Sequence, residues 1–119
     1  MKRNHKKRKQ ILAIVATDST FEKALARGET VWAGKCLHCN GHITIAANGD
    51  PITRSNIEHI HPRNHGGTDD LMNLALACAR CNGQKSRHDR QRANDPKLLA
   101  LVAALAAKRK ERWRDPVPV

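Results

Sequence analysis

Aromatic side chains are nearly missing from this 119-residue chain, which has one phenylalanine, two tryptophans and no tyrosine. So few rings argue against a stacking platform for single-stranded nucleic acid. They also leave a core of small aliphatic side chains, with Trp32 expected to pack beside the first cysteine pair. Acidic residues are scarce as well, 11 against 22 lysines and arginines, so the net charge is 22 − 11 = +11. That imbalance points to nucleic acid ahead of an anionic membrane surface. No apolar run reaches the ~20 residues that span a bilayer. The stretch Ile11–Ala16 is too short for the core of a signal peptide. No export signal is recognised, so the expected compartment is the reducing cytoplasm, with no membrane partner. The length suits one domain.

Cysteine is sparse but patterned. The four cysteines form two pairs, Cys36-Leu37-His38-Cys39 and Cys78-Ala79-Arg80-Cys81, separated by 38 residues. A two-residue gap lets two thiolates point at one ion, and in a reducing compartment such pairs favour metal over disulfides. Together they predict a structural zinc site bracketing an inserted segment. Four thiolates leave no open coordination position, so this zinc is not expected to be catalytic. His38 and His42 then read as solvent-facing or outer residues. Structural zinc contributes about 10–16 kcal/mol of apparent binding energy to folding. Without it the central region is expected to be largely unfolded.

Residues 1–10 hold six lysines and arginines and no acid, and read as a solvated, mobile arm. Ser19-Thr20-Phe21-Glu22 resembles a helix capping box, predicting a short helix through Arg27 with Gly28 as its stop. His42–Ala46 alternates as a strand would, and Asn48-Gly49 signals a hairpin turn with Pro51–Thr53 starting the return. Ile57–Ile60 reads as a strand and Asn64–Asp70 as a loop. Leu71–Ala77 suits either strand or helix. A helix is expected from Cys81 to about Ala93. Asp95 and Pro96 then mark the start of another helix, with Leu98, Leu101, Val102 and Leu105 on its apolar face and a basic end, Lys108–Arg114. Packing on its own domain is the favoured use of that face.

The enclosed segment Glu58-His59-Ile60-His61-Pro62 carries the candidate chemistry. A carboxylate suits the oxygen-seeking ions Mg²⁺ or Mn²⁺. A neutral histidine suits a general base. Asn82 offers a second oxygen ligand just after the second cysteine pair. On a regular strand Glu58 and His59 would face opposite ways, so a bend at Pro62 is needed if both serve one site.

Cys36–Cys39, Glu58-His59-Ile60-His61-Pro62, Gly66-Gly67, Asn73-Leu74, Cys78–Cys81, Asn82 and Lys85 resemble, in order and spacing, the HNH endonucleases. The closer likeness is to the zinc-ribbon subgroup of bacterial and phage proteins. The resemblance covers roughly residues 32–90. It implies an α+β fold, a small zinc-stabilised ββα-metal (treble-clef-like) domain with flanking helices. It also implies His59 as general base, Glu58 and Asn82 as ligands of a catalytic Mg²⁺ or Mn²⁺, and Asn73 as the residue bracing the loop that orients the base. Glu58 stands where the family usually has Asp, and Asn82 where other members carry His. Lys85, Arg80, Arg87 and His61 are candidate phosphate contacts, although Lys85 fits a structural role equally and His61 fits a solvent-facing one.

The chain then divides into a basic N-terminal arm (1–18), an HNH nuclease core with structural zinc (19–93) and a C-terminal basic amphipathic helix (94–119), within one domain. The expected activity is hydrolysis of phosphodiester bonds in duplex DNA, leaving a 5′ phosphate. The arm, Arg87–Arg92 and Lys108–Arg114 would supply salt-sensitive affinity. No separate specificity module is visible, which resembles the phage-associated type and places the protein in a bacterial or phage-infected cell. Two other readings compete. One is a catalytically silent zinc-dependent DNA-binding module. The other is a packaging or interaction partner using the Leu98–Leu105 helix. Cutting both strands would call for a homodimer or two successive events.

Overall fold

The computed structural model describes residues 2–119, with side chains from Asn4 onward, so Met1 of the basic arm lies outside it. The arm is not free. It opens a helix, α1 (Lys2–Thr17). Lysine and arginine are good helix formers, and Ile11, Ile14 and Val15 follow at the spacing of one helical face. All three are buried in the main core. The last four carbonyls of α1 have no helical N–H to meet, yet each finds a donor. Thr17 Oγ1 donates to Ile14 O at 3.2 Å and Arg114 Nη2 to Val15 O at 2.9 Å. Arg114 Nε donates to Ala16 O at 3.1 Å and Arg109 Nη1 to Thr17 O at 3.1 Å. Two guanidinium groups at this end also complement the helix dipole.

The capping-box expectation at Ser19–Glu22 is overturned. The segment forms a hairpin of β1 (Glu22–Ala26) and β2 (Glu29–Lys35), antiparallel with Glu22 opposite Ala33. Its two-residue turn, Arg27-Gly28, has φ of 51° and 79°, the paired positive values of a tight hairpin turn. Phe21 is completely buried. Thr20 Oγ1 donates to Asp18 Oδ1 at 2.9 Å and accepts from Lys35 N at 3.3 Å, so it caps no helix. β1 is exposed throughout. Its charged residues suit an edge strand, and Lys23 Nζ lies 5.6 Å from the Trp32 ring centroid.

β3 (His42–Ala46) completes this sheet in the order β1-β2-β3. The Asn48-Gly49 turn forms with Gly49 at φ 96°. A Cβ there would sit 2.7 Å from the carbonyl oxygen of Arg8, so the turn packs directly on α1. The return is only a single bridge between Ile45 and Pro51, since proline has no N–H to extend a ladder.

A second, two-stranded sheet pairs β4 (Ser55–His59) with β5 (Leu74–Cys78), from Ser55 opposite Cys78 to His59 opposite Leu74. A 3-10 turn at Leu71–Asn73 leads into β5, which settles Leu71–Ala77 as turn and strand. Residues Leu74–Ala77 are all buried, as expected for a strand covered on both faces. Leu74 and Leu76 join the core with Ile11 and Ile14, whereas Ala75 joins Leu37, Ile60 and Leu105.

α2 (Ala79–Asp89) begins at the second cysteine pair and ends four residues earlier than expected. α3 (Pro96–Arg112) starts as its sequence indicates, with Pro96 in the first turn and Asp95 Oδ2 accepting from Leu98 N at 2.9 Å. Leu98 and Leu105 are buried, with Leu101 and Val102 partly so, so its apolar face packs within the domain. No described helix is long and apolar enough to cross a membrane.

The basic end of α3 is largely structural, contrary to the expectation of free phosphate-binding charge. Arg109 is completely buried. It donates to Leu71 O at 3.0 Å, Leu74 O at 2.9 Å, Thr17 O at 3.1 Å and Thr17 Oγ1 at 2.7 Å. Its guanidinium carbon also lies 5.1 Å from the Trp113 ring centroid. Arg112 donates to Lys35 O and Cys36 O, both at 3.2 Å, and to Asn40 Oδ1. Lys108 Nζ donates to His38 O at 3.2 Å. Guanidinium suits this work because its five N–H groups form a fixed fork. Arg109→Ala would leave buried carbonyls without donors and is expected to lower stability by roughly 3 kcal/mol, with partial recovery in Arg109→Lys. Urea denaturation reads the loss, and an unchanged midpoint would contradict the assignment.

Candidate metal centre and active site

The four cysteine Sγ atoms lie within 4.8 Å of one another. Cys36 and Cys39 sit where β2 turns toward β3, and Cys78 and Cys81 where β5 enters α2. Backbone N–H groups prepare the sulfurs. Gly41 N donates to Cys39 Sγ and Cys78 N to Cys36 Sγ, each at 3.3 Å. Tetrahedral zinc with Zn–S bonds of about 2.3 Å brings sulfurs about 3.8 Å apart, and the Cys39–Cys78 separation is 4.0 Å. The donor set therefore fits zinc.

The protons on these thiols show what the metal must displace. Burial pushes the Cys81 thiol up to about 12 and raises that of Cys36, while the N–H of Gly41 lowers Cys39 to about 7. Arg80, whose pKa is raised by its hydrogen bond to Cys81 and by the other thiolates, stands beside the cluster. Four thiolates around one Zn²⁺ would carry a net charge of −2, which the single charge of Arg80 would halve. The structure thus places Arg80 with the zinc ligands rather than in the cleft described next.

That cleft is an open cavity of about 640 Å³ lined by Lys6, Lys7, Gln10, Asn56, Ile57, His59, Arg63 and Asn82. Two of the sequence-predicted residues, His59 and Asn82, meet there. His59 Nε2 lies 2.7 Å from Asp69 Oδ1, and Arg63 Nη2 donates to Asp69 Oδ2 at 3.3 Å. The His59 hydrogen bond, with the Arg63 charge, holds the Asp69 carboxyl below its usual range. An ionised carboxylate only accepts, so Nε2 carries the proton and Nδ1 is the lone-pair nitrogen. Asp69 read only as loop composition in the sequence. A carboxylate ten residues downstream of a candidate base was the signal available.

Asn73 ties the loop together through three hydrogen bonds. Its Oδ1 accepts from His61 N at 2.7 Å, and its Nδ2 donates to His61 O at 3.1 Å and Thr68 O at 2.8 Å. Those bonds fold residues 61–68 back and bring Asp69 to His59. Asn73 itself lines a different hollow, shared with His61 and Val102.

Glu58 is placed otherwise than the ligand expectation requires. It is only 2% exposed, and both its oxygens lie 2.7 Å from His38 Nε2. It does not line the cleft. Alternation along β4 turns it away from His59, and no bend at Pro62 brings the two together. Of the two expected ligands, Asn82 lines the cleft and Glu58 does not. The side-chain oxygen donors that the cleft lining offers a hard cation are the amides of Gln10, Asn56 and Asn82. His38, read as an outer residue, has Glu58 as its partner. His42 bonds Thr44 Oγ1 at 2.9 Å on the surface.

The remaining phosphate-contact expectations also move. Lys85 is buried, with Nζ donating to His59 O at 3.2 Å and to Asp89 Oδ1 at 2.5 Å. It supports the strand that carries His59 and presents no free charge. His61 Nε2 is bonded to His65 O at 2.8 Å. Arg87 is exposed but borders a separate hollow between α2 and α3, with Gln84 and Lys97. The cations the cleft does hold, Lys6, Lys7 and Arg63, were not singled out individually. For Lys6 and Lys7 the available signal was that Lys6, Lys7 and Gln10 precede Ile11 and Ile14 at helical spacing.

Loading the four cysteines with zinc at pH 7 is expected to release at least two protons, those of Cys36 and Cys81. Affinity should rise with pH, because the raised thiols then hold fewer protons for the metal to displace. A zinc titration in weak buffer with a pH indicator measures this. Zinc uptake without acidification would contradict the four-thiolate site.

Residues 36–88 match the family model described as HNH endonuclease. No match is found among the curated proteins or among the solved structures. The matched segment runs from the first cysteine through β4, β5 and most of α2, and so contains both cysteine pairs, His59, Asp69, Asn73 and Asn82. The chain is thus similar to the HNH endonucleases over the segment that holds the four-cysteine cluster.

Proposed function

We propose that the protein is a DNA endonuclease in which His59 is the general base. The observation that carries this is the His59–Asp69 pair at 2.7 Å, set in an open cleft that also holds Asn82. Asp69 fixes the tautomer and stabilises the imidazolium that forms when Nδ1 takes a proton from water. The hydroxide so generated attacks phosphorus, the bond to the 3′ oxygen breaks, and that oxygen takes a proton from solvent to become a 3′ hydroxyl, leaving a 5′ phosphate. Arg63 and the Asn82 amide are placed to meet phosphate oxygens as charge grows on them. HNH nucleases use a divalent metal, which supplies charge neutralisation at the phosphate when bound. Of the expected ligands only Asn82 lines the cleft, so it would hold that ion there together with the neighbouring amides. Duplex DNA is the preferred substrate because the described cleft residues include no phenylalanine, tyrosine or tryptophan to build a stacking platform for unpaired bases.

A second reading has one specific observation in its favour. Glu58, the carboxylate expected to hold a catalytic ion, is held by His38 instead. That suits a zinc-dependent DNA-binding module without activity. Supercoiled plasmid separates the two. Zinc-loaded protein with Mg²⁺ or Mn²⁺ is expected to nick it. His59→Ala should slow nicking by about 10²–10⁴-fold, and Asp69→Asn by roughly tenfold. Binding without cutting, by wild type and variant alike, would favour the silent module.

A further inference from the structure

We propose that α1, which lies outside the HNH-matching segment, forms a binding wall of the cleft, with Lys6 and Lys7 gripping the phosphodiester backbone of duplex DNA beside His59. The inference rests on the nuclease reading and names the residues that would hold its substrate.

Four observations carry it. Lys6 and Gln10 are four residues apart and Lys7 and Gln10 three apart, so all three share one side of the helix, and all three line the same cavity as His59 and Asn82. With Arg63 they give that cavity three cations, while no Asp or Glu lines it. Such a surface fits a polyanion.

The helix is also held firmly. Its C-terminal half is core, and its last carbonyls are bound by Arg109 and Arg114. In its N-terminal half, Arg8 Nε and Nη2 make a two-pronged contact with Asp50 at 2.7 and 3.1 Å, beside the close approach of Gly49 to Arg8 O. Lysines on a docked helix are set in place before substrate arrives.

Finally, three cations from the basic stretches and the motif are already engaged. Arg109, Arg112 and Lys85 are buried with protein partners. Lys6 and Lys7 are exposed, and no ion pair involves either among the described residues.

The test uses a fluorescent 20-base-pair duplex and anisotropy across a salt series, in a His59→Ala background that prevents cutting. Removing two phosphate contacts with Lys6→Gln/Lys7→Gln is expected to reduce the log–log salt slope by about 1.8. Affinity at low salt should fall on the order of 10–100-fold. A control, Lys97→Gln/Lys110→Gln, removes the same charge from exposed positions that do not line the cleft and should leave the slope near that of the parent. Circular dichroism checks that each variant is folded. An unchanged slope in the Lys6/Lys7 variant, or an equal loss in the control, overturns the proposal while the nuclease reading stands if wild type still nicks plasmid. If the parent binds no duplex and wild type does not nick, both fail.

Discussion

Four sulfurs within 4.8 Å of one another are the constraint on which the rest of the structure depends. Thiolates at that distance repel, and thiols there are crowded and partly buried. A divalent cation turns the cluster from a cost into a clamp. The clamp matters because the two sheets, β1-β2-β3 and β4-β5, share no strand pairing. They meet at the cluster, where Leu37 N donates to Leu76 O at 3.1 Å and Cys78 N to Cys36 Sγ. Cys78 is also the end of the β4-β5 register, which places Ser55 opposite Cys78 and His59 opposite Leu74. Fixing the sulfurs therefore helps fix the strand that carries the proposed base. The second pair likewise opens α2, which carries Asn82 into the same cleft.

Charge in this protein has two separate uses. A net +11 suggests a cationic surface throughout, but the structure sorts the cations. Arg109, Arg112 and Arg114 hold backbone carbonyls of α1, the first cysteine loop and the approach to β5. They join the chain's two ends, both outside the HNH segment, to its core. Arg80 sits against the cysteine cluster. Lys6, Lys7 and Arg63 are left facing the cleft. Net charge predicts attraction to a polyanion, whereas the side-chain partners indicate where the polyanion would be held.

Features set by local chemistry could be read from the sequence. The CxxC pairs, the Asn48-Gly49 turn and the Asp95-Pro96 helix start each need only a few neighbouring residues, and each stands where expected. The order of motif residues from Cys36 to Lys85 carries the likeness to the HNH endonucleases, whose family model matches residues 36–88. Features set by distant partners could not be read. Ser19–Glu22 has the letters of a helix cap, but burial of Phe21 and the tight Arg27-Gly28 turn make it a hairpin. The lysines of residues 2–9 hid the start of α1, whose buried face appears only at Ile11. Asp69 acquires its role through Asn73, and Arg109 through carbonyls 35 to 92 residues away. Glu58 stands at the motif position where the resemblance implies a metal ligand, but the strand turns it away from His59 and toward His38, a partner 20 residues away in sequence.

The most direct test of a zinc-framed His59 hydrolase is the chemistry of the ends it leaves. Supercoiled plasmid treated with zinc-loaded protein and a divalent ion would be offered to DNA ligase without prior end repair. The account predicts nicked circles that ligase reseals, because water activated by His59 leaves a 5′ phosphate facing a 3′ hydroxyl. Plasmid that stays intact, or nicks that seal only after a 3′ phosphate is removed, would contradict it.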